Sequence, residues 1–290
     1  IFFLMIRLPP RSTLFPYTDA LPIYYATGLG LADLDRDGWP DMVVANGNDM
    51  GRQRLEVFYN RGGLFPADPD WTSADVDYYG HLAVGDVDGD GWPDVVVAVF
   101  LGPNRFGDKG RAKLYLNDGK GALGRNPAWL SSDTFFCFSV ALGDVDGDGD
   151  LDLAAATGEN YYDPPDYNRL YLNQGGSFQG LPAWQSAIKD HSMGALIADM
   201  DGDGRLDLVF AGHRDSSTVY PSTIYFNRGG GQFPTNPDWR NTDNSTSIMA
   251  AAGDLDGDGL PELILADNNQ VGGSGRFKFY RNSADRKSVV

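Results

Sequence analysis

Residues 86–94 read DVDGDGWPD, and the same nine-residue pattern returns at 33–41 (DLDRDGWPD), 144–152 (DVDGDGDLD), 199–207 (DMDGDGRLD) and 254–262 (DLDGDGLPE). The offsets are 53, 58, 55 and 55 residues, a period that belongs to propeller blades and other repeat arrays. An apolar segment leads into each loop, as in LAVG at 82–85, VALG at 140–143, ALIA at 195–198 and AAAG at 250–253. A second apolar run follows it, as in MVVA at 42–45, VVVA at 95–98 and LILA at 263–266. Short apolar runs bounded by turn residues read as buried strands. A third run alternates, with LEVFYN at 55–60, KLYLN at 113–117, RLYLN at 169–173, TIYFN at 223–227 and KFYRN at 278–282; alternation suits a strand with one drier face. Glycine-rich turns at 62–63, 119, 175–176 and 229–231 mark hairpins, because positive φ is free of steric cost only for Gly. A fourth segment then ends in Trp71, Trp129, Trp184 or Trp239.

Four meandering strands per unit is the anatomy of a propeller blade. The fold predicted is therefore all-β, a β-propeller of four-stranded antiparallel blades. Five copies of strands one to three and four of the last are present, at about 24–76, 77–134, 135–189, 190–244 and 245–284. They form either a five-blade propeller with an incomplete last blade or part of a seven- or eight-bladed one. Residues 1–23 and 285–290 resemble translated sequencing-adapter DNA, which predicts that the informative chain is 24–284 and that the natural leader is not included. The apolar run Ile1 to Ile6 is too short to span a bilayer and runs into prolines, so no membrane insertion is predicted for this segment.

Within each loop, carboxylates at positions 1, 3 and 5 project to one side, Gly at 6 permits the turn, and position 9 closes the cage. The predicted metal ligands are Asp33, Asp35, Asp37 and Asp41; Asp86, Asp88, Asp90 and Asp94; Asp144, Asp146, Asp148 and Asp152; Asp199, Asp201, Asp203 and Asp207; and Asp254, Asp256, Asp258 and Glu262. Position 7 adds a backbone carbonyl from Trp39, Trp92, Asp150, Arg205 or Leu260. An all-oxygen, flexible cage selects Ca²⁺ over Mg²⁺ and over softer metals. Asp and Gly also build ordinary turns, but five copies with every acidic position filled crowd charges that repel one another unless a cation lies between them. An EF-hand needs Glu at position 12, and here Val44, Val97, Ala155, Phe210 and Leu265 stand there in apolar runs.

These loops, the L-Y-x-N third strands and the spacing resemble the FG-GAP or VCBS repeats of integrin-α-like calcium-binding propellers. The resemblance implies about five Ca²⁺, one per repeat, on the loop between first and second strands. Clear Phe-Gly and Gly-Ala-Pro segments are missing, so integrin function is not carried over.

Composition narrows the partners. The formal charge is −17, and half of the 40 acidic residues occupy the loop positions above; five Ca²⁺ would reduce it to about −7. So acidic a chain repels phosphate backbones, which excludes nucleic acid as a partner. One cysteine, Cys137, lies in an apolar context and reads as a buried, inert thiol. The Trp set reads as packing between blades, and Asn60, Asn117, Asn173, Asn227 and Asn282 as turn residues.

The loops on the opposite face differ from unit to unit: 100–111 is basic and Gly-rich, 158–168 holds three tyrosines, and 212–222 holds His213, Arg214 and Tyr220. Variable loops on a constant frame present recognition residues. Arg105, Tyr161, Tyr162, His213 and Tyr220 are the ligand-face candidates. The function expected is a calcium-stabilised binding or adhesion propeller, extracellular or at the cell surface, recognising carbohydrate or protein. The alternative is a polysaccharide-active lyase or hydrolase, for which His213, Asp215, Glu159, Asp163, Lys109 and His191 supply acid and base groups in no recognisable catalytic spacing. A spacer within a larger protein is a third reading.

Overall fold

Each repeat folds into one antiparallel sheet. The computed structural model describes residues 25–47, 49–158, 165–214, 218–243, 246–268 and 273–282. The first sheet holds β1 (Ala26–Ala32), β2 (Asp41–Asn46), β3 (Glu56–Phe58) and β4 (Trp71–Thr72). The second holds β5 (Tyr78–Gly85), β6 (Asp94–Gly102), β7 (Arg105–Tyr115) and β8 (Trp129–Leu130). The third holds β9 (Cys137–Gly143), β10 (Asp152–Thr157), β11 (Asp166–Tyr171) and β12 (Trp184–Asp190). The fourth holds β13 (Ser192–Ala198), β14 (Asp207–Gly212), β15 (Thr223–Tyr225) and β16 (Trp239–Arg240), and the fifth β17 (Ser247–Gly253), β18 (Glu262–Asp267) and β19 (Phe277–Tyr280).

Strands pair with their sequence neighbours in every sheet, and the fifth has three strands among the described residues. The first strands lie side by side in chain order, β1 against β5, β5 against β9, β9 against β13 and β13 against β17. The described residues form five successive blades of a β-propeller, the architecture that the repeats predict. Every loop of the nine-residue pattern joins the first strand of a blade to the second, and the glycine turns after the third strand emerge on that same side.

Two local expectations change. Residues 100–111 are not a loop: β6 and β7 extend through them, pairing Leu101 with Lys109 and Gly102 with Arg105, so a hairpin projects there. The first strands are also less buried than their apolar sequence predicts, with Leu29 60 % exposed, because they are the innermost strands.

The core lies between blades rather than within them. Val43, Ala45 and Val57 of blade 1 meet Tyr79, Val95, Val97 and Tyr115 of blade 2, and Val96, Ala98 and Leu114 of blade 2 meet Leu153, Ala155 and Tyr171 of blade 3. Both faces of β6, β10 and β14 are therefore dry, which is why those strands read as unbroken apolar runs, while Ile264 and Ala266 of β18 are half-buried. Cys137 sits in the second of these interfaces; burial pushes its thiol well above the usual range, and it is the inert sulfur expected.

Each Trp packs edge-on against the third-strand Tyr of the next blade: Trp71 on Tyr115, Trp129 on Tyr171, Trp184 on Tyr225 and Trp239 on Tyr280. The packing reading of the Trp set holds. Four residues after three of these Trp comes an Asp that binds both that Tyr and a basic residue. Asp75 accepts from Tyr115 and Lys113 (2.5 Å), Asp133 from Tyr171 and Arg169 (2.7 Å), and Asp243 from Tyr280 and Lys278 (2.8 Å). Burial alone would raise the Asp75 carboxyl, but Lys113 and Tyr115 outweigh it and hold it below the ordinary range. Between blades 3 and 4 Ile188 replaces the Asp and Thr223 replaces the basic residue, so the pair is lost from both ends together and neither of its partners is left alone.

Replacing Trp129 with Ala removes the ring that fills the space between Tyr171 and Phe178. Urea unfolding should show a loss of about 3–5 kcal/mol, and a loss below about 1 kcal/mol would contradict the interblade core.

Candidate metal centres

The five loops share one backbone path. The position-6 amide donates to the position-1 carboxylate, Gly38 to Asp33 at 3.0 Å, Gly91 to Asp86 at 2.9 Å, Gly149 to Asp144 at 3.1 Å, Gly204 to Asp199 at 2.9 Å and Gly259 to Asp254 at 3.1 Å. The position-7 amides of Trp39, Trp92, Asp150, Arg205 and Leu260 donate to position 5 at 2.8–3.0 Å. These Asx-type bonds turn the carboxylates inward.

Position 6 has φ between 86° and 97° in all five loops, as the sequence requires of its glycine. Position 4 also lies in the left-handed region, in Gly89, Gly147, Gly202 and Gly257 and in Arg36 at φ 59°. Arg36 is the one non-glycine there, and its guanidinium lies 4.4 Å from the Trp92 ring of the next blade.

The carboxylates converge as predicted in type, with a difference in membership. Oxygens lie within 4.8 Å of one another from Asp33, Asp35 and Asp37; from Asp86, Asp88 and Asp90; and from Asp199, Asp201 and Asp203. In blades 3 and 5 the trios are Asp144, Asp146 and Asp152, and Asp254, Asp256 and Glu262, with Asp148 and Asp258 outside them. Asp33 Oδ1 and Asp86 Oδ1 are shielded from solvent without a hydrogen-bond partner, an arrangement that costs free energy unless a cation takes the lone pairs. Burial, with neighbouring carboxylates adding to it, raises Asp88 and Asp146 above the ordinary range. The donor set is all oxygen and suits a hard divalent cation.

Position 9 does more than close the loop. Asp41, Asp94, Asp152, Asp207 and Glu262 are fully buried. One oxygen of each accepts the position-2 amide, from Leu34, Val87, Val145, Met200 or Leu255 at 2.8–2.9 Å. The other accepts the amide of Asn60, Asn117, Asn173, Asn227 or Asn282 at 2.7–3.3 Å. Burial pushes Asp94, Asp152 and Asp207 up to about 6 against the pull of those amides. Each carboxylate keeps lone pairs for a metal after these bonds. The asparagines, read from sequence as turn residues, carry a further role: their side-chain amides reach the preceding blade, Asn117 to Leu34 O at 3.0 Å and Asn173 to Val87 O at 2.8 Å. Their recurrence at the end of every third strand was the available signal.

The opposite face is less open than its sequence predicts. His213 is 2 % exposed; its Nδ1 contacts the Arg214 carbonyl and its amide donates to His191 O. Tyr220 packs edge-on against the His191 ring at 4.9 Å. His213, His191 and Tyr220 thus come together as packing, and burial takes His213 down to about 4. Arg105 is exposed at the tip of its hairpin and donates to Asp49 O of blade 1 at 2.6 Å. Lys109 is paired with Asp166 at 2.8 Å. Tyr161, Tyr162, Glu159, Asp163 and Asp215 lie outside the described residues. Among the described residues no helix is long and apolar enough to cross a membrane.

With this geometry in view, the FG-GAP-like repeat family matches residues 33–97, 99–155, 148–210 and 199–265. The chain is 32 % identical over 152 residues to human integrin alpha-7, covering 48 % of this chain and 12 % of that protein. Among solved structures, the V. cholerae biofilm matrix protein Bap1 superposes with a TM-score of 0.53 at 18 % identity, over 94 % of this chain and 42 % of that one. This likeness speaks for the fold, and the chain spans less than half the length of either relative.

Two substitutions test the local physics. Ala at Gly204 would meet no atom within 4 Å, so only its φ of +86° is at issue; it should cost about 1–2 kcal/mol in urea unfolding. Gly51→Ala, equally open but without positive φ, should stay within about 0.5 kcal/mol. Asp190, 1 % exposed, is raised to about 7 by burial, against hydrogen bonds from Ser192 and Asn168. Its folded pKa exceeds its unfolded one, so its charge costs nothing below pH 4, an increasing amount between 4 and 7, and a constant amount above. Asp190→Asn should therefore gain on the parent by on the order of 2–4 kcal/mol between pH 4 and pH 8; a pH-independent difference would refute it.

Proposed function

Because the chain belongs to the FG-GAP-like repeat family, we propose that it is a calcium-stabilised binding or adhesion propeller that works outside the cell or at its surface. The observation that carries this reading is the fivefold recurrence of one carboxylate constellation on one edge of the blades. Asp33, Asp35, Asp37 and Asp41, and their equivalents in the other loops, would hold one Ca²⁺ each, with the carbonyls of Trp39, Trp92, Asp150, Arg205 and Leu260 completing the shells. The ion would neutralise crowded charge and fix a loop that otherwise repels itself, so its binding free energy becomes folding free energy.

Recognition falls to the face opposite the metal loops, where the projecting hairpin with Arg105 and the loops around Tyr220 differ between blades. Such a surface suits carbohydrate or protein. The name of the structural relative, a biofilm matrix protein, is in keeping with an extracellular setting. Calcium sites of extracellular modules bind at about 10⁻⁴–10⁻³ M, which is compatible with that location.

The test is a thermal melt in Ca²⁺, in Mg²⁺ and in excess EDTA, with bound metal counted by mass spectrometry. Near five Ca²⁺ per chain and a melting point lowered by 10 °C or more in EDTA are expected; an ion-free protein with an unchanged melt would sink the reading. A glycan array probed with the calcium-loaded protein then separates carbohydrate from protein ligands.

A further inference from the structure

The seam between blades 1 and 2 sets two carboxylates on one ammonium. Lys113, from the third strand of blade 2, reaches Asp75 and Asp77 at 2.5 Å each, and Tyr115, two residues on, donates to Asp75 at 2.8 Å. The repeat places Trp184, Ile188 and Asp190 where Trp71, Asp75 and Asp77 stand. It places Thr223 and Tyr225 where Lys113 and Tyr115 stand, since Lys113 pairs with Val97 and Thr223 with Phe210, both at the twelfth residue counted from the start of their loops. The seam between blades 3 and 4 therefore keeps the second carboxylate without the ammonium that serves it.

Asp190 is 1 % exposed and its hydrogen-bond partners are neutral. Its Oδ1 accepts from Ser192 Oγ at 2.9 Å and from Asn168 Nδ2 at 3.0 Å, whereas Oδ2 has only a longer branch of that same amide at 3.2 Å. The basic groups nearby face elsewhere. Lys189 lies over the Tyr167 ring, Arg169 pairs with Asp133 and Asp166, and Arg240, whose backbone pairs with Thr223, is exposed. The His191 ring packs against Tyr220.

Two further oxygens of this seam are shielded from solvent and have no hydrogen-bond partner. They are Thr223 Oγ1 and Tyr225 OH, on side chains 1 and 0 % exposed. In the seam between blades 1 and 2 the equivalent Tyr finds its acceptor in Asp75; here Ile188 offers none. Asp190 is the charge that acts most on the Tyr225 hydroxyl, and the Thr223 and Ser186 side chains lie beside it. Buried polar atoms left in this way cost free energy. Water alone would satisfy the hydroxyls but would leave the carboxylate without a countercharge. A divalent ion brings more charge than one carboxylate balances, and it calls for more anionic ligands than this seam holds.

We infer that the seam between blades 3 and 4 is a binding site for one potassium- or ammonium-sized monovalent cation, held by Asp190 Oδ2 and the hydroxyl oxygens of Thr223 and Tyr225. The ion takes the role that the Lys113 ammonium plays between blades 1 and 2, and the size follows from that ammonium. Asp190 ends the fourth strand of blade 3 and both hydroxyls belong to the third strand of blade 4, so the ion clamps the two blades together. A proton is its competitor, because burial raises Asp190 to about 7, and the cation therefore matters most above neutral pH.

The full chain, at one fixed Ca²⁺ concentration and pH 8, is melted in KCl, in ammonium chloride and in tetramethylammonium chloride at equal ionic strength. For an ion present at ten times its dissociation constant, a melting point about 2–4 °C higher in a small-cation salt is expected, saturating with concentration. The preference should vanish at pH 5, where Asp190 carries the proton. Asp190→Asn, which keeps the shape and removes the charge, should melt alike in all three salts. Thr223→Val, which keeps the volume and removes one oxygen, should raise the K⁺ concentration at half-effect several-fold. Equal melts of the parent in all three salts, a preference that survives in Asp190→Asn, or a half-effect concentration unmoved in Thr223→Val would overturn the inference.

Discussion

A buried carboxylate at the end of each loop sets the geometry of its blade. Asp94, with no exposed surface, accepts the Val87 amide with one oxygen and the Asn117 amide with the other. It thereby fixes the loop, the start of the second strand and the end of the third with one side chain. Its charge is held in a place that water does not reach, and its pKa near 6 records how far burial works against it. The arrangement repeats at Asp41, Asp152, Asp207 and Glu262. The remaining parts of the blade, from the glycine turn to the Trp that packs on the next Tyr, are laid out from these fixed points.

Much of this was legible in the chain. The nine-residue loop, its period and the apolar runs beside it specify blades, because only second strands buried on both faces read as unbroken apolar stretches. The convergence of the loop carboxylates was legible for the same reason: carboxylates at every other residue followed by Gly can point to one side. What was not legible depends on contacts between units. Asn173 looks like a turn residue until Val87 of the preceding blade is placed beside it. The Asp75–Lys113 pair joins residues far apart in sequence, and its absence as a pair between blades 3 and 4 is informative only once Ile188 and Thr223 are known to face the equivalent positions. His213 appeared to be a recognition residue because it stands in a variable segment, yet packing near His191 and Tyr220 buries it.

The two sides of the propeller are therefore governed by different physics. On the side of the acidic loops, every unit obeys the same electrostatic constraint, and sequence variation is limited to positions 2, 4, 7 and 8 and to Glu262 in place of Asp at position 9. On the other side nothing fixes the hairpins in common: one continues as a paired ribbon through Lys109 and Arg105, while another packs inward around His213. A surface built in this way changes its shape without disturbing the frame below it.

The asparagine that joins successive loops carries its donor on one side of a unit and finds its acceptor on the other side of the unit before. For this contact one such unit fits after another, although the ion pairs of Asp75, Asp133 and Asp243 across their seams still require a matching basic residue in the unit that follows. Gene duplication of one whole repeat would create a new junction identical in kind to those already present, whereas a partial duplication would leave a donor facing no acceptor. Arrays of this type can grow or shrink by whole modules at little cost, and the number of modules becomes a quantity that evolution can vary separately from the sequence of any one of them.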